Sequence, residues 1–465
     1  MPQNTETSLS QGPEWSASES APAWWREGQR AAWADFLALP MPRRKDEDWR
    51  FANLRKITLD PYRYASEPNL TELEWTLEHS RTEFDIAGRA VFADNLLLEH
   101  QPVPESLRRQ GVIWEPLERA LQEYSDLLQR HFMSQPVALG SQKFAALHRA
   151  FCRSGMLIFV PEGVKVDLPL AAFHWLVGAN RSTFPHTLIV AGANSEVTVV
   201  DFLRSAQDQP GFACSVNDLI VGPGAKVTYT CLQEWSEQVL SFQINATEVD
   251  RDGQGKSLNV HLGGAYARAE SQGRLIGAGA RSEMLSVSVG HGSQNFDQRT
   301  LQYHEGPHTW SDLLYKNALS HRSRSVFKGL IQVAPTAQFT DAYQTNRNLL
   351  LDPEAEADSM PGLEILNDDV KCSHGATTGQ VDPEELFYLL ARGIPPVAAK
   401  QLMVDGFLAE VTQRLGHQAL SGHITERIRA KFAQTLRLSR ADSNNPTDDD
   451  ASGDLDPTDP SLAVV

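Results

Sequence analysis

One corner recurs through the middle of the chain. Leu157-Ile158 (LIFVPEGVKV), Leu188-Ile189 (LIVAGANSEVTV), Leu219-Ile220 (LIVGPGAKVTY), Leu275-Ile276 (LIGAGARSEML) and Leu330-Ile331 (LIQVAPTAQFT) follow one plan. An apolar strand meets a small-residue corner and continues into a second alternating strand. The leucines are spaced 31, 31, 56 and 55 residues apart, and the last two intervals are close to twice a period of ~28. Weaker strand patterns at ATEVD and RTLQYH fall in those gaps. A fixed period of this size means stacked rungs, whereas a sandwich alternates strands and turns without keeping one corner at a fixed offset. Residues 156–380 are therefore expected to form a β-helix, with Gly, Ala or Pro at each tight corner.

The flanks have a different texture. In residues 21–155, Trp25, Ala32, Trp33, Phe36 and Leu37 recur at helical spacing until Pro40 and Pro42. Ser141 is a candidate N-cap for a helix carrying Phe144, Leu147 and Phe151 on one side. This region reads as a helix-leaning domain, with Trp49 in KDEDWRF as a packing anchor. After the solenoid, residues 381–440 form a helical domain. Asp382 is its N-cap, Pro383 occupies N1, and Arg392-Gly393 marks a stop. Two amphipathic helices follow, one with Val397, Leu402, Phe407, Val411 and Leu415, the other with Ile424, Ile428, Phe432 and Leu436. Such helices can cap the last rung or offer a stripe to another protein. Residues 1–20 and 441–465 hold too little apolar surface to offset ordering entropy and are expected to be disordered.

Charge narrows the function classes. A net charge of −17 argues against general affinity for nucleic acid or anionic membrane. Much of it lies beyond Arg440, the last basic residue, where seven aspartates follow. The four cysteines form no CxxC pair, so neither a disulfide framework nor a self-contained four-thiolate site is expected. No apolar leader or long apolar run appears, and a cytoplasmic location follows as the expectation.

DGQGKS at 252–257 resembles the end of a P-loop, but Asp250 stands where the first glycine belongs and a strand pattern follows. Gly277 and Gly279 look like a dinucleotide fingerprint without its βαβ unit, and read as corners. His291, His304, His308 and His321 approach one another only if neighbouring rungs align them. LEILNDDVKCSHGATTG is more pointed. Cys372 and His374, at i and i+2, share one face of a strand beside Asp368 and Asp369. A thiolate and an imidazole on an exposed edge make half of a metal site, the rest coming from another chain. The bland alternative is a buried cysteine and a turn-capping histidine. The competing function class is a β-helix polysaccharide lyase or hydrolase, for which Asp297, Asp312 and Asp341 are the candidate acids.

WRFANL, FAALHRAFCRSGMLIFVPEGVKVDLPL, SVFKGLIQVAPTAQFTDAYQTNRNLLLD, ADSMPGLEILNDDVKCSHGATTG, DPEELFYLLARGI and LMVDGFLAEV together resemble the SufB/SufD family of the SUF iron-sulfur assembly machinery. The charged WRF block and the CSHGAT form are most like its SufD branch. The resemblance implies a non-catalytic scaffold subunit that pairs with SufB through the β-helix and binds the ATPase SufC through its C-terminal helices. SufC supplies the ATPase, and this chain holds no nucleotide. His374, with Cys372 beside it, would ligate a nascent iron-sulfur cluster shared transiently with SufB. Glu385, Leu386, Phe387, Tyr388, Arg392, Gly393 and Phe407 would belong to the SufC-binding element.

Overall fold

The computed structural model describes residues 6–13, 20–65 and 70–443. Its centre is a β-solenoid of about eight turns. Each rung gives one strand to each of two parallel sheets. In the second sheet, Lys226, Gln254, Arg281, Trp310, Asp341 and Lys371 stand in register on successive rungs. A rung therefore takes 27 to 31 residues, which is the period that the repeated corner implies. The Leu-Ile pairs all fall in or beside the first sheet, though not in one file. Leu157 lies opposite Leu188, but Ile189 lies opposite Leu219, and Leu275 is in register with Val249.

The corners differ from expectation in composition. Gly163, Asn194, Gly224, Asp252, Gly279, His308 and Phe339 occupy the same place on successive rungs with φ between 56 and 73°. Each donates its backbone N–H to a carbonyl of the next rung: Gly163 to Ala193, Asn194 to Pro223, and so on to Phe339 and Asp369, at 2.7 to 3.0 Å. This hydrogen-bond ladder offsets the left-handed backbone, so Asn, Asp, His and even Phe serve where only small residues were anticipated.

Helices cover both outer faces. The helices Ala23–Ala38 and Gln142–Phe151 lie over the first sheet, where Phe36, Phe144, Leu147 and Phe151 pack against Phe184, Phe212 and Phe242. Ser141 does not cap its helix. Its hydroxyl instead donates to Glu270 Oε1 at 2.6 Å. Trp49 is the anchor its setting suggests. Its ring lies 3.8 Å from the guanidinium of Arg268, which is buried between Glu270 and Asp297, and its indole N–H donates to the Gly140 carbonyl. The helices Pro396–Gln413 and Gln418–Ser443 lie across the second sheet. Val404, Leu408, Val411, Ile424, Ile428 and Phe432 meet Phe202, Leu232, Val260 and Val287 there. They do not cap the last rung.

The two ends of the solenoid consequently differ. At the N-terminal end, the hairpin Gly88–Ala93 and Leu96–Gln101 extends the second sheet, so the solenoid begins within the region expected to be a separate helix-leaning domain. At the C-terminal end, the strands Glu356–Ile365 and Lys371–Gln380 each pair on one side only among the described residues, and none of their residues is buried. The disordered ends expected at 1–20 and 441–465 lie mostly outside the described residues. Within them, Glu6–Ser8 is a strand paired with Arg63–Ala65, and Leu9 is fully buried, so the expectation fails there.

Candidate functional site

Alternation along the second sheet decides where Cys372 and His374 point. Val199, Tyr229, Ser257, Met284, Leu313 and Gln344 form one file across the rungs, buried except at the half-buried Ser257, and His374 is its next member. Cys372 continues the neighbouring file after Ser311 and Ala342. On earlier rungs these positions fill the solenoid. On the last rung no described residue buries them, so the inward face becomes an exposed end. Cys372 is half-buried against Val370, Ala342 and Ile331, and His374 is exposed. Burial pushes the Cys372 thiol up, with the Asp341 charge adding to it and the Ala342 backbone opposing it. A thiol so held needs a cation to become a good ligand.

The surroundings of the pair are mixed. The matching inward positions of the first sheet's last strand include Leu363 and Ile365, which are 37% and 39% exposed. An open cleft of about 420 Å³, lined by Phe339, Asp341, Asp368, Asp369 and Lys371, adjoins Cys372. The end thus offers apolar surface, two soft ligands and three carboxylates. Among the described residues, no third His, Cys, Asp or Glu stands close enough to Cys372 and His374 to share one ion with them. Cys372 and His374 share one face of the last strand, as their spacing implied.

The other sequence candidates separate. Glu385, Phe387, Tyr388, Arg392 and Gly393 are exposed on or just after the Pro383–Ala391 helix, and Leu386 is partly covered. Asp382 caps the helix by accepting from the Glu384 and Glu385 N–H groups. No residue of this helix is buried, while Phe387 and Tyr388 are 70% and 57% exposed. Phe407 differs from these, because its ring lies over Lys316 and packs toward the second sheet. His304 is buried between Thr309 and Ser311, His308 is a corner, and only His291 and His321 approach, with ring centroids 6.2 Å apart. Asp297 is buried between Arg268 and Arg299 on the first sheet, whereas Asp312 pairs with Arg414 on the second. The three aspartates therefore share no exposed face. The P-loop-like residues form a corner and a strand, with Lys256 paired to Glu283.

One cluster escaped the sequence reading. His148, Cys152 and His186 are buried together, with ligand atoms within 4.8 Å of one another. The spacing of His148 and Cys152, four apart at the end of a helix, was its only sequence signal.

No helix among the described residues is long and apolar enough to cross a membrane. Residues 174–407 match the family model described as SUF system FeS cluster assembly, SufBD core domain, and residues 15–171 match that of the SufBD protein N-terminal region. The chain is 29% identical to the iron-sulfur cluster assembly protein SufD of Bacillus subtilis, over 90% of this chain and 96% of that one. It is 27% identical to a SufBD family protein of Staphylococcus epidermidis, covering 86% and 88% of the two chains. A SufBD family protein of Staphylococcus aureus is also 27% identical, covering 85% and 87%.

Proposed function

The chain belongs to the SufBD family of iron-sulfur cluster assembly proteins, and from that premise we propose that it is the SufD-like subunit of a scaffold on which clusters are built. It pairs with SufB through the uncovered end of its β-helix and engages the ATPase SufC through the Pro383–Ala391 helix. The observation that carries the reading is the last rung. Two sheet edges end there without a partner among the described residues, and the inward files finish on Cys372 and His374. A second solenoid laid against this end satisfies the open backbone groups, buries Leu363 and Ile365, and brings the missing ligands to the half-site.

The nascent cluster is cargo here. His374 supplies an imidazole nitrogen and Cys372 a thiolate once its proton leaves, while the carboxylates of Asp341, Asp368 and Asp369 favour the approach of iron. No step of ATP hydrolysis falls to this chain. SufC binds and hydrolyses ATP, and its movement reaches the SufB interface through the helices that lie across the second sheet. Phe387 and Tyr388 support that docking role, since an exposed aromatic pair on an otherwise uncommitted helix suits a protein partner.

The test is a complex purified with its partners and carrying His374→Ala. Iron and sulfide per complex are expected to fall on the order of tenfold with subunit stoichiometry unchanged. A variant complex with wild-type cluster content would sink the ligand assignment.

A further inference from the structure

Away from the proposed cluster site, the Gln142–Phe151 helix ends against the first sheet on a buried group of soft ligands. His148 lies in its last turn, Cys152 is its C-cap, and His186 begins the strand His186–Ala191. All three side chains are fully buried. His148 Nδ1 lies 2.7 Å from the Cys214 carbonyl oxygen. That oxygen only accepts, so Nδ1 carries the ring proton and Nε2 keeps its lone pair. Nε2 faces His186 Nδ1 at 3.3 Å, and the far nitrogen of His186, Nε2, lies 3.5 Å from Asp218 Oδ2.

The first distance is at the long end of the hydrogen-bond range and the second lies beyond its usual limit. A ring N–H bonded to a second ring, or a protonated carboxyl bonded to a ring, closes to about 3 Å or less. Two nitrogens bound to one tetrahedral ion at about 2.05 Å lie about 3.3 Å apart. The outer nitrogens fit the same picture, because a metal-bound imidazole directs its other N–H to a carbonyl or a carboxylate. Cys214 supplies the carbonyl and Asp218 the carboxylate. His186 Nε2 otherwise has no hydrogen-bond partner, and neither does the buried Ser154 hydroxyl two residues from Cys152.

We propose that His148 Nε2, His186 Nδ1 and Cys152 Sγ bind a zinc-class divalent ion that fastens the Gln142–Phe151 helix to the solenoid. The sulfur, within 4.8 Å of both nitrogens, closes to the roughly 3.5 Å sulfur–nitrogen spacing of a tetrahedral site. Two metal–nitrogen bonds and one metal–sulfur bond replace waters of the arriving ion, which keeps one water as its fourth ligand, and the thiol proton is released to solvent. The nearby charge of Arg149 opposes a cation, and the thiolate offsets it. The role is structural and does not rest on the cluster assembly reading.

The test uses the full chain. Metal content is measured after dialysis, and the chelator-stripped protein is titrated with Co(II). One equivalent of zinc, a thiolate-to-cobalt charge-transfer band, and a melting temperature lowered by the chelator are expected. Cys152→Ala should lose the band, and His148→Asn, close in shape, should lose the zinc while remaining folded. Substoichiometric zinc with no thiolate band in the wild-type chain would overturn the proposal. So would equal metal content in both variants. Iron in place of zinc in the purified chain would overturn the structural role, since it would tie the site to the cargo.

Discussion

His174 shows how one residue writes a pH dependence into this fold. It is fully buried, its ring stacks on Phe92 at 4.9 Å, and neither ring nitrogen has a hydrogen-bond partner. Burial depresses its pKa to about 3, against about 6.5 in an unfolded chain. A base with a depressed folded pKa contributes stability above its unfolded value and loses it as pH falls below that value. Between pH 7 and pH 5 the loss is about 2 kcal/mol. Asp201 acts in the opposite sense. Its buried carboxyl is raised to about 6, so its contribution is present below about 4 and is lost as pH rises through 6. The wild-type profile mixes the two. His174→Phe isolates the histidine: the stability lost between pH 7 and pH 5, read from urea midpoints, should shrink by about 2 kcal/mol. An unchanged loss would mean that the ring is protonated without unfolding.

At the scale of elements, the corner ladder and the C-terminal helices make separable claims. Gly279 has φ +73°, and an added Cβ would stand 2.4 Å from Asp252 Oδ1 on the preceding rung. Gly279→Ala should therefore cost about 1 to 2 kcal/mol, seen as a lower melting temperature. Ile424, fully buried under the second sheet, should cost about 2 to 5 kcal/mol as Ile424→Ala. Phe387→Ser with Tyr388→Ser should leave the melting temperature unchanged and reduce SufC capture in a pull-down. Undiminished capture would remove that helix from the interface. The sequence revealed the rungs because apolar alternation and period survive the one- and two-residue slips seen at Ile189 and Leu275. It hid the left-handed corners, since nothing local marks Asp252, His308 or Phe339 as backbone exceptions. An amphipathic stripe shows that a helix has an apolar face but not which surface receives it, so helices that could cap the last rung or face another protein lie across a sheet instead. Cys372 and His374 were legible because two residues on one strand fix a face. His148 and His186, 38 residues apart, meet only through the docking of a helix on a sheet.

For the whole molecule, the difference between the two ends governs association. The N-terminal end of the second sheet is extended by a hairpin, and both outer faces are covered by helices. The C-terminal end leaves two long parallel strands with unpaired edges, together with exposed Leu363, Ile365 and Leu366. Exposed edges of this length template pairing with another chain unless charge or proline blunts them. Pro361 lies on the Glu356–Ile365 strand, yet the inward positions beyond it are apolar. The isolated chain is therefore expected to self-associate through this end, and SufB to displace that contact by supplying a better-matched rung. Leu363→Lys with Ile365→Lys puts two like charges where a second copy would meet them, at positions already partly solvated. Light scattering should show a concentration-dependent dimer for the wild-type chain and a monomer for the double variant, with unchanged melting temperatures. The same variant should lose SufB in co-purification while retaining SufC, because the Pro383–Ala391 helix is untouched. If the double variant kept SufB, the interface would have to lie elsewhere on the solenoid, and the half-site at Cys372 and His374 would have no second half.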